Sequence, residues 1–269
     1  MTYLEINDLI IDKYKIDLKI NKSDFVGFIG KSEKIKELFL FISGINPNNQ
    51  KILHEGKDVY ENNDYFKKRV LIDFRRRYIS TLRKDIIKEA FNNKFDIDID
   101  TETFMKKVNN MALRKEAIFN IRYNFTPYGN TILNYCLISS INIKNIMVLN
   151  PFYKVENNNV KKEIVKSLGN KKKISTLLIE ANDLKYFNNL DYFVLLTDDN
   201  IKIIDKNSEV IIFYEKGKYH DLIYKGKDYY LCLNTYSKDE LKDLSKSKYK
   251  KTTLNDYFKH VEDEIDEKK

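Results

Sequence analysis

Cysteine is scarce in this 269-residue chain: Cys136 and Cys232 stand far apart, which argues against a disulfide scaffold and fits a reducing compartment. Both read as core residues rather than as a reactive pair. Long apolar runs are missing too. Stretches such as Leu38–Ile42 and Ile146–Leu149 fall far short of the ~20 residues a spanning helix needs, so any membrane role must pass through a partner. The opening MTYLEINDLI carries charge inside its apolar stretch and no basic lead-in, so no signal peptide is expected. No internal repeat is apparent, and no long block of one charge sign. The formal charge of +8 comes from lysines interleaved with Asp and Glu, which counts against a nucleic-acid surface.

What is present suits a packed protein. Apolar residues make up 42%, with 19 Tyr and 16 Phe, enough for a full-sized core in one large domain or one domain with an appendage. Partial alternation predicts short strands over Leu4–Ile11 and Ile16–Ile20. The near-continuous apolar run Phe25–Gly30 has the look of a buried parallel strand entering a turn. A helix over Glu33–Ser43 follows, with Ile35, Leu38, Phe39 and Ile42 at helical spacing and Gly44 as its C-cap. Such a strand, loop and helix can bind phosphate at the helix N-terminus.

Further along, about 83–123 reads as several helices, with another over about Asn130–Ser140. Strands are predicted at Asn145–Leu149 and Ile174–Ile179, a helix at Val160–Leu168, and a hairpin joining Tyr192–Thr197 to Ile201–Ile204. The alternation implies an α/β fold with helices on a largely parallel sheet. After Asp205 the pattern changes to strands at Glu209–Tyr214 and Tyr229–Leu233, then helices from about Lys238 and from Thr253. In the last helix Leu254, Tyr257, Phe258 and Val261 share a face, and Thr253 with Asp256 offers an N-cap pair. The densest basic stretch, Phe74-Arg75-Arg76-Arg77-Tyr78, is either a solvated helix face or a docking patch.

In their order these segments resemble the nucleotide-binding subunit of an ABC transporter. Ser23-Asp-Phe-Val-Gly-Phe-Ile-Gly30 stands where the family has a stretch like G-E-x-V-G-L-I-G, Ile42-Ser43-Gly44 matches its I-S-G, and Lys51–Val59 resembles G-x-I-x-x-x-G-K-D-V. The resemblance covers roughly residues 1–205. It implies a P-loop NTPase-like ABC ATPase domain with a mixed central sheet, a helical subdomain at about 83–140, and a small α+β appendage over 206–269. Thr252–His260 also resembles the T-L-E-D-x-F helix that ends many ABC-2-type exporter ATPases.

The motifs that would do chemistry are altered. Between Gly30 and Leu38 there is no glycine, although a phosphate loop needs several to bring backbone N–H groups around the phosphates. Held in register with I-S-G, Ile35 stands where the family's lysine belongs. Gly30-Lys31-Ser32 resembles a surviving G-K-S, but using it adds four residues, about one turn, to the helix. The strand that ends in Asp-Glu in the family ends here in Leu149 and Asn150, which can neither hold a magnesium water shell nor accept a proton. Phe125-Thr126-Pro127-Tyr128-Gly129 stands at the signature position, with Pro127 and Tyr128 in place of glycines; a plain helix start reads equally well. Asn182 replaces the switch histidine, and the chain's single glutamine, Gln50, lies far from the place of the family's water-linked glutamine. Tyr14 is the candidate to stack on adenine.

The resemblance thus implies a degenerate subunit with Gly27, Gly30, Lys31 and Ser32 as what is left of a nucleotide site. ATP and Mg²⁺ are expected for the family, with binding here weak or lost. Expected partners are a membrane-spanning permease, contacted through Arg75, Arg76 and Arg77, and an active ATPase subunit or a second copy. No nucleic acid is expected. The place of action would be the cytoplasm, at the inner membrane face through the permease. The rivals are an active ATPase rebuilt on Gly30-Lys31-Ser32 and a free-standing regulator with a basic surface.

Overall fold

The computed structural model describes residues 2–11, 14–46, 51–76, 97, 99–110, 126–197, 201–215, 217–243 and 248–259. The chain divides into two compact units, Met1–Val26 with Ser32–Glu180, and Gly27–Lys31 with Ala181–Lys269. The division between 180 and 181 lies ahead of the change in sequence pattern after Asp205.

The first unit opens with β1 (Thr2–Ile11) and β2 (Tyr14–Asn21), an antiparallel pair. In β2 Ile16, Leu18 and Ile20 are buried while Lys15, Asp17 and Lys19 are exposed, the period-two pattern of a sheet with one wet face. β4 (Ile52–His54) and β5 (Lys57–Asp58) extend this sheet in the order β2-β1-β4-β5. They join through Glu55 and Gly56, both at positive φ, a turn that the apolar pattern alone does not announce.

The second sheet of this unit runs β3-β8-β7-β6, from β3 (Phe25–Gly30), β6 (Arg69–Asp73), β7 (Asn145–Leu149) and β8 (Thr176–Glu180). β6, β7 and β8 are parallel, with Asp73 in register with Leu149. Every residue of β7 and β8 is buried, as expected of strands covered on both faces. α1 (Ser32–Ile42) buries Ile35, Leu38, Phe39 and Ile42, the stripe its spacing predicts. α2 (Asn63–Lys67) is capped by Asn62, whose side chain accepts the Tyr65 N–H.

α3 (Thr101–Asn110) starts at Asp100, which accepts from Thr103. α4 (Pro127–Ser139) begins three residues before the predicted start, because Thr126 caps it and Pro127 fits its first turn. α5 (Asn158–Asn170) is capped by Asn157. Lys107 on α3 ties these helices together, donating to Tyr135 on α4 at 2.9 Å and Glu163 on α5 at 2.8 Å.

The second unit takes Gly27–Lys31 with β9 (Tyr192–Leu196) and β10 (Ile201–Asp205), in strand order β10-β9-β3. β9 and β10 form the expected antiparallel hairpin. A further sheet runs β12-β13-β11-β14, from β11 (Glu209–Phe213), β12 (Leu222–Lys225), β13 (Tyr230–Leu233) and β14 (Tyr249–Thr253). β12 and β14 escape the sequence patterning because short strands rich in Lys and Tyr carry little apolar alternation. α6 (Lys238–Asp243) contributes Leu241 to a core with Ile211, Phe213 and Cys232, and the Phe213 and Tyr219 rings stack at 4.1 Å. Residues 254–259 are helical, capped by Thr253, which accepts the Asp256 N–H at 3.2 Å. The predicted helical subdomain over 83–96 and 111–125, and Val261 with the tail, lie outside the described residues.

Candidate functional site

In parallel α/β sheets, ligand sites gather at the carboxyl ends of the strands. There the first unit builds a closed polar network. β6 ends in Asp73, β7 is followed by Asn150, and β8 ends in Glu180, which is fully buried. Asn150, at φ +51, donates its backbone N–H to Glu180 at 2.8 Å and its side-chain amide to Asp73 at 3.1 Å. The Ser32 hydroxyl, at the start of α1, donates to the other Glu180 oxygen. Arg75 closes the far side, with Nε 3.2 Å from both Asp73 oxygens and Nη2 at 2.9 Å. That hydrogen bond is the main reason the Arg75 pKa is raised; burial opposes it, while the charges of Asp73, Glu180 and Glu33 add to it. A buried carboxylate is tolerated only where donors surround it, and the Asn150 N–H and the Ser32 hydroxyl are donors to Glu180.

The segment carrying Arg75 is strapped in place from α4. Asn130 and Asn134 donate to the Phe74 carbonyl at 3.3 and 3.4 Å, Asn130 also to the Arg76 carbonyl, and Thr131 to the Tyr153 carbonyl at 2.7 Å. These buried polar side chains gave no signal in an otherwise apolar helix. Residues 74 and 75 form a turn after β6, so the solvated-helix reading is corrected there, and residues 77 and 78 of the stretch lie outside the described residues. Arg75 is committed to Asp73 and Arg76 is half-buried, while Arg77 lies outside the described residues.

Ile35 is wholly buried in α1, and Leu149 is buried at the end of β7. Thr126 accepts the Gly129 N–H at 3.1 Å and is the N-cap of α4. The Tyr14 side chain and Gln50 lie outside the described residues.

In the second unit the structure brings Gly30, Lys31 and Asn182 to one cavity. Both candidate glycines there have a packing reason. A Cβ on Gly27 would lie 2.7 Å from the Phe193 ring, and one on Gly30 would lie 2.6 Å from the Leu196 carbonyl oxygen. Gly30 also sits at φ +147.

ATP with Mg²⁺ does not fit these residues. A phosphate loop encircles the phosphates with successive backbone N–H groups; here β3 ends at Gly30 and α1 starts at Ser32, leaving Lys31 alone as the connection. The hydroxyl that would face the metal is given to Glu180. Asp73 and Glu180, which sequence reasoning passed over, set negative charge beside Asn150. A charged residue ending a buried strand was the one available signal.

The helices and the mixed pairing of strands define an α/β fold of the ABC ATPase type. A solved structure described as a cobalt transport ATP-binding protein matches it with a TM-score of 0.56, covering 87% of this chain and 93% of that one. Identity is 13%, so the likeness is one of fold. No family model matches the chain, and no curated protein matches it in sequence. Among the described residues no helix is long and apolar enough to cross a membrane.

Proposed function

We propose that this chain is a degenerate nucleotide-binding subunit of an ABC transporter, of the exporter kind, with weak or no ATP hydrolysis. In this reading it works at the inner membrane face, paired with an active ATPase subunit or a second copy and docked on a permease. The carrying observation is Asn150 held between Asp73 and Glu180, with Arg75 supplying the compensating charge. Where a working site would recruit a metal and a nucleotide, this chain satisfies its polar groups from within. A fold kept while its chemistry is dropped fits a docking role.

One observation favours the rebuilt-loop alternative: α1 begins at Ser32, as a helix following Gly30-Lys31-Ser32 would. Titration calorimetry with Mg·ATP, run beside a turnover assay, separates the two. The degenerate reading expects weak or no saturable heat, and at most slight turnover that Lys31→Ala leaves unchanged. Turnover that Lys31→Ala abolishes would replace it with the active ATPase.

A further inference from the structure

The carboxyl ends of the parallel strands carry the polar network, and their amino ends carry a different surface. Around the start of β8, turns from three distant parts of the chain come together. On one side the Ser23 N–H donates to the Thr176 hydroxyl at 3.0 Å. On the other the Thr176 N–H donates to the Lys144 carbonyl at 2.8 Å. Ser175 is buried and donates to the Ile143 carbonyl. These bonds bring Lys22, Lys144 and Lys173 to one edge, at the amino ends of the neighbouring strands β3, β7 and β8, which run about 4.8 Å apart. All three lysines are exposed, and none of their side chains makes a hydrogen bond or ion pair among the described residues. Ile174, next to Lys173, is 42% exposed.

The carboxylates near this edge leave its charge positive. Asp24, whose Oδ2 accepts the Asn21 N–H at 2.8 Å, offsets one of the three lysines. Asp64 is paired with Lys68 at 2.6 Å, and Asp100 caps α3 beside Lys171. Glu55 and Glu102 belong to the β4–β5 turn and to the first turn of α3. Like charges gathered on one edge repel, and an exposed Ile174 among them keeps apolar surface in water. A layer of anionic headgroups relieves both.

We propose that this edge rests on an anionic lipid surface, with Lys22, Lys144 and Lys173 among the phosphate headgroups and Ile174 at the boundary with the acyl chains. A row of strand ends presents its charges to a plane, and apolar Ile174 among them suits a headgroup layer better than an acidic polypeptide. The inference goes beyond the sequence expectation, in which any membrane role passes through a partner. It does not rest on the transporter reading, since it needs neither permease nor nucleotide.

The test is co-sedimentation of the full chain with phosphatidylcholine vesicles, with and without phosphatidylglycerol. Binding is expected only where phosphatidylglycerol is present, and it should fall as salt is raised. Lys144→Glu with Lys173→Glu should weaken it about tenfold or more, from roughly 1 kcal/mol for each lysine at such a surface. Ile174→Ser should weaken it several-fold without changing the charge. The control is Lys250→Glu with Lys251→Glu on β14, which alters the net charge equally and should leave binding nearly unchanged. Circular dichroism establishes that the variants are folded, and Lys144→Gln with Lys173→Gln serves if the charge reversal is not. Equal loss in the two charge reversals would assign binding to overall charge and overturn the proposal. So would binding to phosphatidylcholine alone, no binding to either vesicle, or equally tight binding to polyglutamate with Ile174→Ser having no effect.

Discussion

Asn150 links the ends of two strands through a single side chain and its own backbone. Its left-handed backbone suits asparagine better than most residues, and its amide gives what neither neighbouring carboxylate has, a donor. Replacing it by aspartate turns the 3.1 Å donor contact with Asp73 into an opposition of like charges beside buried Glu180. Asn150→Asp should therefore lose about 1–3 kcal/mol in urea denaturation, the usual cost of a broken buried polar contact. Added Mg²⁺ should not restore it, because Arg75 and Ser32 already occupy the carboxylates. Recovery of full stability on adding Mg²⁺ would mean that the network is a metal site after all.

At the scale of elements, the sheet β2-β1-β4-β5 contains a weak point at the end of β4. His54 is buried, and neither ring nitrogen has a hydrogen-bond partner among the described residues. The Tyr3 ring meets it edge-on at 4.6 Å and the Tyr65 ring at 4.7 Å. Burial pulls its pKa below the ordinary value; Lys68 pulls the same way, against Glu55 and Asp64. The folded sheet therefore holds the neutral ring. Above the ordinary histidine pKa both states are neutral and the site has no pH dependence. Below it the unfolded chain takes up a proton that the folded sheet refuses, so stability falls with pH down to the lowered folded value. Hydrogen-exchange protection of β1 and β4 should drop between about pH 7 and 5, and His54→Phe should flatten that drop. Equal pH dependence in the variant would assign the effect to other groups.

Over the whole molecule, each compact unit encloses one cysteine, Cys136 in the first and Cys232 in the second. Burial pushes both thiols up to about 12, so neither forms appreciable thiolate at neutral pH. A thiol reagent should leave both untouched in the native protein and modify both in guanidinium chloride. Rapid modification of either one under native conditions would show that its unit opens readily.

Much of this was legible in the chain. Periodicity located α1, β7, β8 and the β9–β10 hairpin, because those segments bury a continuous face and hydrophobic spacing records it. The residues that carry the proposed degeneracy, Ile35, Leu149, Asn150 and Asn182, were read from the sequence directly, since the identity of a side chain needs no coordinates. The small strands β4, β5, β12 and β14 were not legible, because turn geometry and pairing partners hold them rather than their own patterns. What Gly27 and Gly30 are for depended on Phe193 and Leu196, residues more than 160 positions away. Above all, only the tertiary structure could place Asp73, Asn150, Glu180 and Ser32 together. Sequence determines which charges a chain owns. Which of them meet is decided where strands distant in sequence end side by side, and here that meeting sets the Asn150 and Ser32 donors against the buried Glu180 carboxylate.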